Sequence, residues 1–506
     1  MSRGDFLDAN GRLLTNRFKT RRIFLFPQQF PARASYINFL MSFLNMNKTE
    51  MEKIMAEQVP VLVDKNVTRS QAEYLQKNFL PGVILADKPL RYHPAFAAHL
   101  IGYVAPVEMR GIAGLERRFD YFLKGERYEQ LIALVDAREH LIRGLGFRFQ
   151  RIENPGNEPC DVELTIESPW QEAVENVMNR FVASGGVLVM DPYSGDVLAM
   201  ASRPTFDPNH PGEYMQAAGA PLINRAITDF YPGSIFKLVI TAAALEEKIT
   251  SPFEMFSDPG YYQLQNLRFR CYTYNEGGHG NLSLSKALAV SCNPVFIELG
   301  LRLGAAKIYT YAKKSGFGDQ TMIGLVEESR GHLEDYIHMS PGDVANISIG
   351  QKDIKATPLQ IGAFVSAIAN GGILYKPRIV KQILTSRGEV RKSFPCKKIR
   401  RIISEDTAGI LRTMMRAAVK NGTGQPADVP PGSSGKTGTA QTGRKDRDGN
   451  EITHAWFAGF WPHYSPKVVV VVLVEEGKTG GITAAPLFRE IILRYQNSLG
   501  LARRNR

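Results

Sequence analysis

Cysteine is scarce in this chain of 506 residues, which has four: Cys160, Cys271, Cys292 and Cys396. So few cysteines exclude a disulfide scaffold and leave the redox compartment open. The longest strongly apolar run, VVVVVLV at 468–474, is far too short to cross a bilayer and has the length of a buried strand. The opening residues, MSRGDFLDANGRLLTNRF, lack the apolar core of a signal peptide.

The composition is that of an ordinary globular protein, with 44% hydrophobic and 22% charged residues. The length predicts about two to four domains. A net charge of +12 is compatible with nucleic acid, an anionic membrane surface or an anionic polymer as partner. The sequence shows no helix-turn-helix, zinc-finger spacing or RNA-binding signature, so nucleic acid is not the expected partner.

The chain has a predicted division near residue 155, in the stretch ENPGNEPCD at 153–161, whose Pro, Gly and Asn are typical of linkers. We therefore predict an N-terminal domain over 1–155 and a C-terminal domain over 156–506. The second domain has strand patterns near both of its ends and mostly helical patterns between them. This order predicts an α+β fold in which one antiparallel sheet is completed by distant segments beside a helical insertion.

The stretch DFYPGSIFKLVI at 229–240 places Ser234 and Lys237 three positions apart, on one face of a predicted helix. A helix-capping serine with a lysine reaching to solvent accounts for an isolated match of this kind. The alternative is a nucleophile with its base. Two further motifs favour it: S-C-N at 291–293, at a helix junction, and K-T-G-T at 436–439, on a predicted strand. In this order the three motifs are a strong joint signal for a serine acyltransferase of the penicillin-recognising kind.

Acyl transfer requires a hydroxyl made nucleophilic, and we expect Ser234 to attack a carbonyl while Lys237 accepts its proton. A lysine amine can do this only when its pKa falls well below about 10.4. Burial and a second cation, Lys436, are both expected to lower the pKa of Lys237. Which lysine acts as base in each half-reaction stays open.

The remaining motif residues have supporting roles in this hypothesis. Ser291 relays a proton to the leaving amine, and Asn293 holds the substrate amide and Lys237. Gly438, which follows Thr437, lets the strand backbone come close to the ligand. The backbone amides of Ser234 and Thr439 would form the oxyanion hole.

Several longer segments carry a family resemblance: RGDFLDANGRLLT, GLERRFDYFLKG, MDPYSGDVLAMASRPTFDPN, SIGQKDIKATPLQIGAFVSAIANGG and HAWFAGFWP. With the three motifs, they make the sequence similar to class B penicillin-binding proteins, which are monofunctional peptidoglycan D,D-transpeptidases. The similarity is greatest to the elongation-type branch known as penicillin-binding protein 2, and it covers nearly the whole chain.

The resemblance implies a mixed α/β pedestal domain followed by a transpeptidase domain. The latter would have a five-stranded antiparallel sheet flanked by helices and an all-helical subdomain. The implied substrate is the D-Ala-D-Ala end of a peptidoglycan stem peptide, cross-linked to a neighbouring stem amine, and β-lactams would acylate Ser234. The acyl transfer would require no cofactor. A SEDS-type glycosyltransferase and the membrane proteins of the elongation complex are the expected partners.

The sequence departs from the family in two places. Members carry a transmembrane helix just before the arginine-glycine segment with which this chain begins, and the catalytic domain lies on the periplasmic side of the inner membrane. Either the anchor is omitted from this sequence, or the start was misassigned, or the protein is unanchored; an exported substrate favours the first two. The second departure is Lys352, where the family usually has glycine after Gln351.

A separate group of residues has the donor types of a zinc site: Asp258, Cys271, His279 and Cys292. Their spacing is not that of a standard finger. Some elongation-type members hold a metal here with Asp, His and Cys. Asp258, His279 and Cys292 match those ligands, and Cys271 would replace a second carboxylate. A structural zinc, a disulfide between Cys271 and Cys292, and plain buried thiols stay open as alternatives.

Rival functions share the acylation chemistry. A D,D-carboxypeptidase or serine β-lactamase would let water deacylate the enzyme, and a β-lactam sensor would stay acylated. A catalytically silent scaffold would need a broken motif, and none is broken. A division-type transpeptidase is the alternative within the same class.

Overall fold

The computed structural model describes residues 3–57, 60–63, 65, 67–92, 95–105, 109–125, 127–133, 147–153 and 158–504. The strands are β1 (Phe6–Leu7), β2 (Phe18–Leu25), β3 (Val61–Val63), β4 (Val83–Leu90), β5 (Arg127–Ala133), β6 (Phe147–Glu153), β7 (Asp161–Leu164), β8 (Gly185–Met190), β9 (Val197–Arg203), β10 (Met255–Asp258), β11 (Tyr261–Leu264), β12 (Leu267–Arg270), β13 (Gly280–Ser283), β14 (His332–Leu333), β15 (Ile354–Lys355), β16 (Ile373–Tyr375), β17 (Val380–Leu384), β18 (Val390–Ser393), β19 (Lys398–Arg401), β20 (Ser434–Lys445), β21 (Glu451–Trp461) and β22 (Val468–Val474). The α-helices are α1 (Ala34–Leu44), α2 (Lys48–Met55), α3 (Arg69–Lys77), α4 (Ala98–Ile101), α5 (Gly114–Arg118), α6 (Asp120–Lys124), α7 (Ser168–Phe181), α8 (Lys237–Glu246), α9 (Leu284–Val290), α10 (Asn293–Leu303), α11 (Ala305–Lys314), α12 (Pro341–Ser348), α13 (Pro358–Ala369), α14 (Glu405–Asn421) and α15 (Ala485–Arg504).

The chain forms two compact units whose ranges interleave. The smaller unit comprises residues 1–5, 13–96 and 121–161, and the larger comprises 6–12, 97–120 and 162–506. The short segment at 6–12 belongs with the larger unit because Phe6 of β1 pairs in parallel with Val162 of β7. The predicted boundary at residue 155 lies outside the described residues, and a division there stays a prediction.

The smaller unit has the mixed α/β character expected of the N-terminal domain. Its three-stranded antiparallel sheet has the order β3-β2-β4. The same unit contains helices α1 to α3. The core of this unit consists of buried aliphatic side chains from both layers: Ile23, Leu25, Leu44, Ile54 and Val63. Strands β5 and β6 form a separate antiparallel pair.

The larger unit contains the predicted five-stranded antiparallel sheet, in the order β20-β21-β22-β8-β9. Its strands come from both ends of the domain, as the sequence predicts. The central strand β22 consists of six β-branched valines and one leucine, and all of it is buried because both faces of the sheet are covered. Strand β20, which carries the K-T-G-T motif, forms one edge of the sheet.

Helices cover both faces of this sheet. On one face, Val174 of α7 and Phe488 of α15 belong to the same buried core as Val470 and Val472 of β22. On the other face, α13 approaches so closely that a Cβ at Gly362 would lie 2.8 Å from a methyl group of Leu188. The sheet is thereby held in a fixed position between helices, and its edge strand serves as one wall of the site.

The insertion between the two groups of sheet strands is mostly helical, with α8 to α14. It also contains short antiparallel pairs that the expected all-helical subdomain does not include: β10 with β13, β11 with β12, β14 with β15 and β16 with β19. The β11–β12 hairpin is important below because it borders the candidate site. Among the described residues, no helix combines the length and apolarity required to cross a bilayer.

Candidate active site

Ser234 lies in a single 3-10 turn, Gly233–Ile235, directly before helix α8. The turn packs tightly against the edge strand: a Cβ at Gly233, which has a φ of +53°, would lie 2.7 Å from the carbonyl oxygen of Thr439. Ser234 is half-buried and lines a cleft. Among the described residues, the Ser234 hydroxyl forms no hydrogen bond, so its oxygen is available to a ligand in the cleft.

Lys237 follows Ser234 by one helical turn and is fully buried. Its amine donates hydrogen bonds to the carbonyl oxygen of Ser291 at 2.8 Å and to Oδ1 of Asn293 at 2.7 Å. Burial lowers the pKa of Lys237 to about 8. A neutral amine keeps two N–H groups for these acceptors and has a lone pair left with which to accept a proton, as the predicted role as a base requires.

Lys436 is the second buried amine of the site, near Lys237 as the sequence predicts, but its charge is not among the causes that shift the pKa of Lys237. It lies on β20 and donates to the Ser291 hydroxyl at 2.8 Å and to the carbonyl oxygen of Thr437 at 2.9 Å. Burial, and the charge of Lys237, lower the pKa of Lys436 well below its usual value. The Ser291 hydroxyl also lies 3.4 Å from the amine of Lys237 and therefore links the two lysines.

The Ser291 backbone adopts a left-handed conformation, with a φ of +61°, at the end of helix α9. A non-glycine residue in this region carries strain, and such strain is common at functional sites. The conformation allows α10 to begin at Asn293, only two residues later. Both motif side chains, from Ser291 and Asn293, are thereby brought to the amine of Lys237.

The K-T-G-T strand contacts the nucleophile turn directly. A Cβ at Gly438 would lie 3.0 Å from Ile235, from the carbonyl oxygen of Pro232 and from Trp456. The packing of β20 on the turn that carries Ser234 therefore leaves little room for a side chain at this position, and the close approach of a ligand to Gly438 stays a prediction. Trp456 itself is fully buried, and its indole donates to the carbonyl oxygen of Tyr231 at 3.1 Å.

The residues of the three motifs meet at one cleft of about 910 Å³. Those that line it are Ser234, Ser291, Asn293, Thr437 and Thr439. Lys237, Lys436 and Gly438 lie beneath this surface and are buried. The structure thus places all eight predicted catalytic residues at one site, although their contribution to catalysis stays a prediction.

Sequence reasoning missed other residues of the cleft. The hydroxyl of Thr423 lies 2.6 Å from that of Thr437 and orients it. Arg268 and Arg270 line the cleft from the β11–β12 hairpin. None of the three belongs to a recognised motif, and only the tertiary structure brings them to the site.

Comparisons with known proteins agree with this architecture. The family model described as the penicillin binding protein transpeptidase domain matches residues 185–493, which is more than half of the chain. The chain belongs to this family. A second model, the penicillin-binding protein dimerisation domain, matches residues 1–145. The predicted recognition as a class B penicillin-binding protein, similar to penicillin-binding protein 2, is confirmed.

Named relatives resemble this penicillin-binding protein over most of their lengths. Stage V sporulation protein D of Bacillus subtilis is 32% identical over 99% of this chain and 78% of its own. Peptidoglycan D,D-transpeptidase PbpA of Mycolicibacterium smegmatis is 32% identical over 80% of this chain and 82% of its own. Peptidoglycan D,D-transpeptidase MrdA of Haemophilus influenzae is 26% identical over 98% of this chain and 84% of its own.

A solved structure shows the same fold. The D,D-transpeptidase domain of a peptidoglycan glycosyltransferase from Eggerthella lenta superimposes with a TM-score of 0.69 at 24% identity, covering 99% of each chain. At this identity the likeness establishes the fold alone. The predicted α+β transpeptidase fold is confirmed.

The predicted metal-ligand group is assembled next to the Ser-Cys-Asn motif of this penicillin-binding protein. The donor atoms of Asp258, Cys271, His279 and Cys292 all lie within 4.8 Å of one another. Nδ1 of His279 is 2.6 Å from Oδ2 of Asp258, and Sγ of Cys292 is 3.1 Å from the same oxygen. No disulfide joins Cys271 and Cys292, since both are free thiols in this structure.

The electrostatics of the group favour one thiolate. A hydrogen bond from Cys292 lowers the pKa of Cys271 to about 5, and the hydrogen bond to Cys271 together with burial raises the pKa of Cys292. The hydrogen bond from His279 helps to lower the pKa of Asp258 against the opposing effect of burial. Tetrahedral zinc with bonds of 2.0–2.3 Å requires ligand atoms about 3.3–3.8 Å apart, and the two contacts of Asp258 Oδ2, at 2.6 and 3.1 Å, are shorter than this. The donor types, two thiols, an imidazole and a carboxylate, are nevertheless those that bind zinc.

Lys352 has a backbone conformation that glycine favours. Its φ is +62°, in the left-handed region that glycine favours. The side chain forms an ion pair with Asp343 of helix α12. The neighbouring Gln351 lines the cleft, so the turn retains its place at the site.

Proposed function

We propose that this penicillin-binding protein is a peptidoglycan D,D-transpeptidase that cross-links stem peptides during cell-wall elongation. The observation that carries the proposal is the Ser291 hydroxyl, which links the buried amines of Lys237 and Lys436 at a cleft lined by Ser234. A hydroxyl nucleophile, a base with a lowered pKa and a proton relay are the requirements of acyl transfer to a serine.

In the acylation step, Ser234 Oγ bonds to the carbonyl carbon of the penultimate D-alanine while the Lys237 amine takes the hydroxyl proton. The backbone amides of Ser234 and Thr439 would stabilise the oxyanion, and such donors are typically worth about 10²–10³ in rate each. Collapse of the intermediate breaks the C–N bond. The terminal D-alanine leaves as an amine after receiving a proton through the Ser291 hydroxyl.

In the second step, the amine of a neighbouring stem attacks the ester carbonyl and Ser234 leaves with a proton. The new amide bond is the cross-link. A β-lactam acylates Ser234 in the same way, but its leaving nitrogen stays covalently attached to the acyl group after the ring opens and does not diffuse away. We therefore expect a long-lived acyl-enzyme on Ser234 with penicillin.

The test is intact mass after incubation with a β-lactam, compared between the wild type and Ser234→Ala. We expect a stable adduct on the wild type and none on the variant. Absence of any adduct on folded wild-type protein would contradict the proposal. Loss of the adduct within minutes would identify a β-lactamase.

A second assay distinguishes the rival functions that also form an adduct. Incubation with donor and acceptor stem peptides should release D-alanine and give a cross-linked product. Release of D-alanine with hydrolysed donor alone would identify a D,D-carboxypeptidase, and neither product would identify a sensor. Swelling on depletion of the protein from its own cells would agree with elongation, whereas filaments would indicate the division-type alternative.

We also propose that Asp258, Cys271, His279 and Cys292 hold a structural zinc ion. Support comes from two thiols, an imidazole and a carboxylate within 4.8 Å of one another. When bound, zinc would fix its ligands and keep a thiol deprotonated. Because Cys292 lies between Ser291 and Asn293, the four ligands would hold both motif side chains in position.

The proposal extends to location and partners. Peptidoglycan stems lie outside the cytoplasm, so the catalytic domain would act on the periplasmic side of the inner membrane. Nothing in the sequence resembles a glycosyltransferase domain, so a SEDS-family glycosyltransferase would supply the glycan strands, together with the membrane proteins of the elongation complex.

A further inference from the structure

The β11–β12 hairpin forms a wall of the cleft that the catalytic motifs do not use. Arg268 and Arg270 of strand β12 line the same cleft as Ser234. They are two positions apart on a strand, so their side chains leave the same face. Both residues are exposed. Two guanidinium groups are thus available beside the acylation site.

The exposed charged groups that line the cleft have one sign, whereas the thiol of Cys271, which also lines it, is buried. No aspartate or glutamate is among the described residues that line it, and its lysines, Lys237 and Lys436, lie buried beneath the surface. Within the same described residues, neither Arg268 nor Arg270 has a carboxylate within 4.0 Å. A cleft with exposed cations and no carboxylate favours an anionic ligand.

Two aromatic rings restrict the movement of the Arg268 and Arg270 side chains. The guanidinium of Arg268 lies over the ring of Tyr261, 4.6 Å from its centroid, and that of Arg270 lies over Tyr274 at the same distance. Nε of Arg268 also donates to Oε1 of Gln263 at 3.1 Å. Stacked guanidinium groups lose less freedom when they bind, and their planar forks match the two oxygens of a carboxylate.

The hairpin is tied to the catalytic motif at its base. The amide of Cys271 donates to the carbonyl oxygen of Gly260 at 2.7 Å, which closes the hairpin. Nδ2 of Asn293 donates to the carbonyl oxygen of Arg270 at 3.5 Å. The arginines therefore have a defined position relative to Asn293 and to a substrate that it holds.

We propose that Arg268 and Arg270 bind a side-chain carboxylate of the stem peptide and so determine substrate specificity. The inference rests on the proposed function and deepens it. It identifies the preferred substrate as a stem whose third residue has a free carboxylate beside its amine, as diaminopimelate does and lysine does not. The two arginines are specificity-determining residues and take no part in the transfer of protons.

The test compares donor stems that differ only in this group, one with the free side-chain carboxylate and one with the carboxamide. The measured quantity is kcat/KM for release of D-alanine. We expect the wild type to prefer the carboxylate about tenfold, as a charge-assisted contact between exposed groups allows. The preference should shrink as salt is raised, because the arginines are exposed.

Two variants and a control complete the experiment. The Arg268→Gln/Arg270→Gln pair should lose the preference, and Arg268→Lys/Arg270→Lys should keep part of it, since the charge remains without the planar fork. Lys398→Gln, an exposed cation of β19 that does not line the cleft, should keep the preference in full. Equal rates on the two stems in the wild type, or an unchanged preference in the glutamine pair, would overturn the proposal.

A β-lactam adduct separates failure of this inference from failure of the proposed function. A Ser234-dependent adduct on each variant shows that its catalytic centre is intact. An adduct on the wild type without a preference between stems would overturn the specificity proposal alone. No adduct on the wild type would overturn both.

Discussion

The amine of Lys436 donates a hydrogen bond of 2.8 Å to the hydroxyl of Ser291, from a strand 145 residues further along the chain. The same hydroxyl lies 3.4 Å from the amine of Lys237. One oxygen thus contacts both buried amines, and a proton can pass between them through it. The proposed relay to the leaving group depends on this arrangement.

We predict that Ser291→Ala slows acylation of Ser234 by a β-lactam about 10²–10⁴-fold, the usual contribution of a positioned proton donor. The variant should fold, because Ser291 is half-buried and alanine fills less space. Stopped-flow or quenched mass measurements of the acylation rate would check the prediction, with circular dichroism as the control for folding. A loss of less than about threefold would show that the relay uses another group.

The pH dependence of acylation follows from Lys237. Since burial lowers the pKa of this amine to about 8, its neutral form predominates above pH 8 and is lost as the pH falls. The acylation rate should therefore rise from about pH 6 and level off above about pH 8.5. A pH–rate profile for the reaction with a β-lactam measures this, and a rate independent of pH over this interval would contradict Lys237 as the base.

The catalytic residues could be predicted from the sequence because each motif is local and its order along the chain is distinctive. The long-range contacts could not. Thr423 meets Thr437 only because the chain turns after α14, and Arg268 reaches the cleft on a hairpin that no sequence pattern predicts. These positions are set by tertiary packing, which residue spacing does not record.

The sequence also does not show every contact that a motif residue makes. The sequence predicts that Gly438 makes room for a ligand, and the structure adds that a side chain there would contact Ile235 and Trp456. The pairing of Phe6 with Val162, which places the segment at 6–12 with the larger unit, is likewise a contact that residue spacing does not predict. Both contacts join residues that are distant in the sequence.

The packing at Gly438 predicts that Gly438→Ala both destabilises the protein and slows acylation. A Cβ only 3.0 Å from Ile235, Pro232 and Trp456 forces the edge strand away from the nucleophile turn, at a cost of about 1–3 kcal/mol. Gly409→Ala is the matched control, because that helical position has no atom within 4 Å of the added methyl group. It should be neutral or slightly stabilising. Denaturant unfolding and the acylation rate should distinguish the two variants.

The left-handed turn at Lys352 predicts an unusual order of stability. Lys352→Ala removes the ion pair with Asp343 but keeps the strain of a non-glycine residue at positive φ. Lys352→Gly removes both the ion pair and this strain. The glycine variant should therefore be more stable than the alanine variant by about 1 kcal/mol. Urea unfolding of both proteins would measure the difference. The opposite order would mean that the turn relaxes when the lysine is replaced.

Removal of metal tests the ligand group of Asp258, Cys271, His279 and Cys292. We expect one zinc ion per chain by elemental analysis, and a melting temperature lowered by several degrees after chelation, because a metal that binds only the folded state stabilises it. Cys160→Ser, at a buried cysteine outside the group, should retain the metal. Cys271→Ser should lose it and melt near the temperature of the chelated wild type. If the wild type contains no zinc and has two fewer titratable thiols than after reduction, Cys271 and Cys292 form a disulfide. If it contains no zinc and all of its thiols can be titrated, the two cysteines are plain buried thiols.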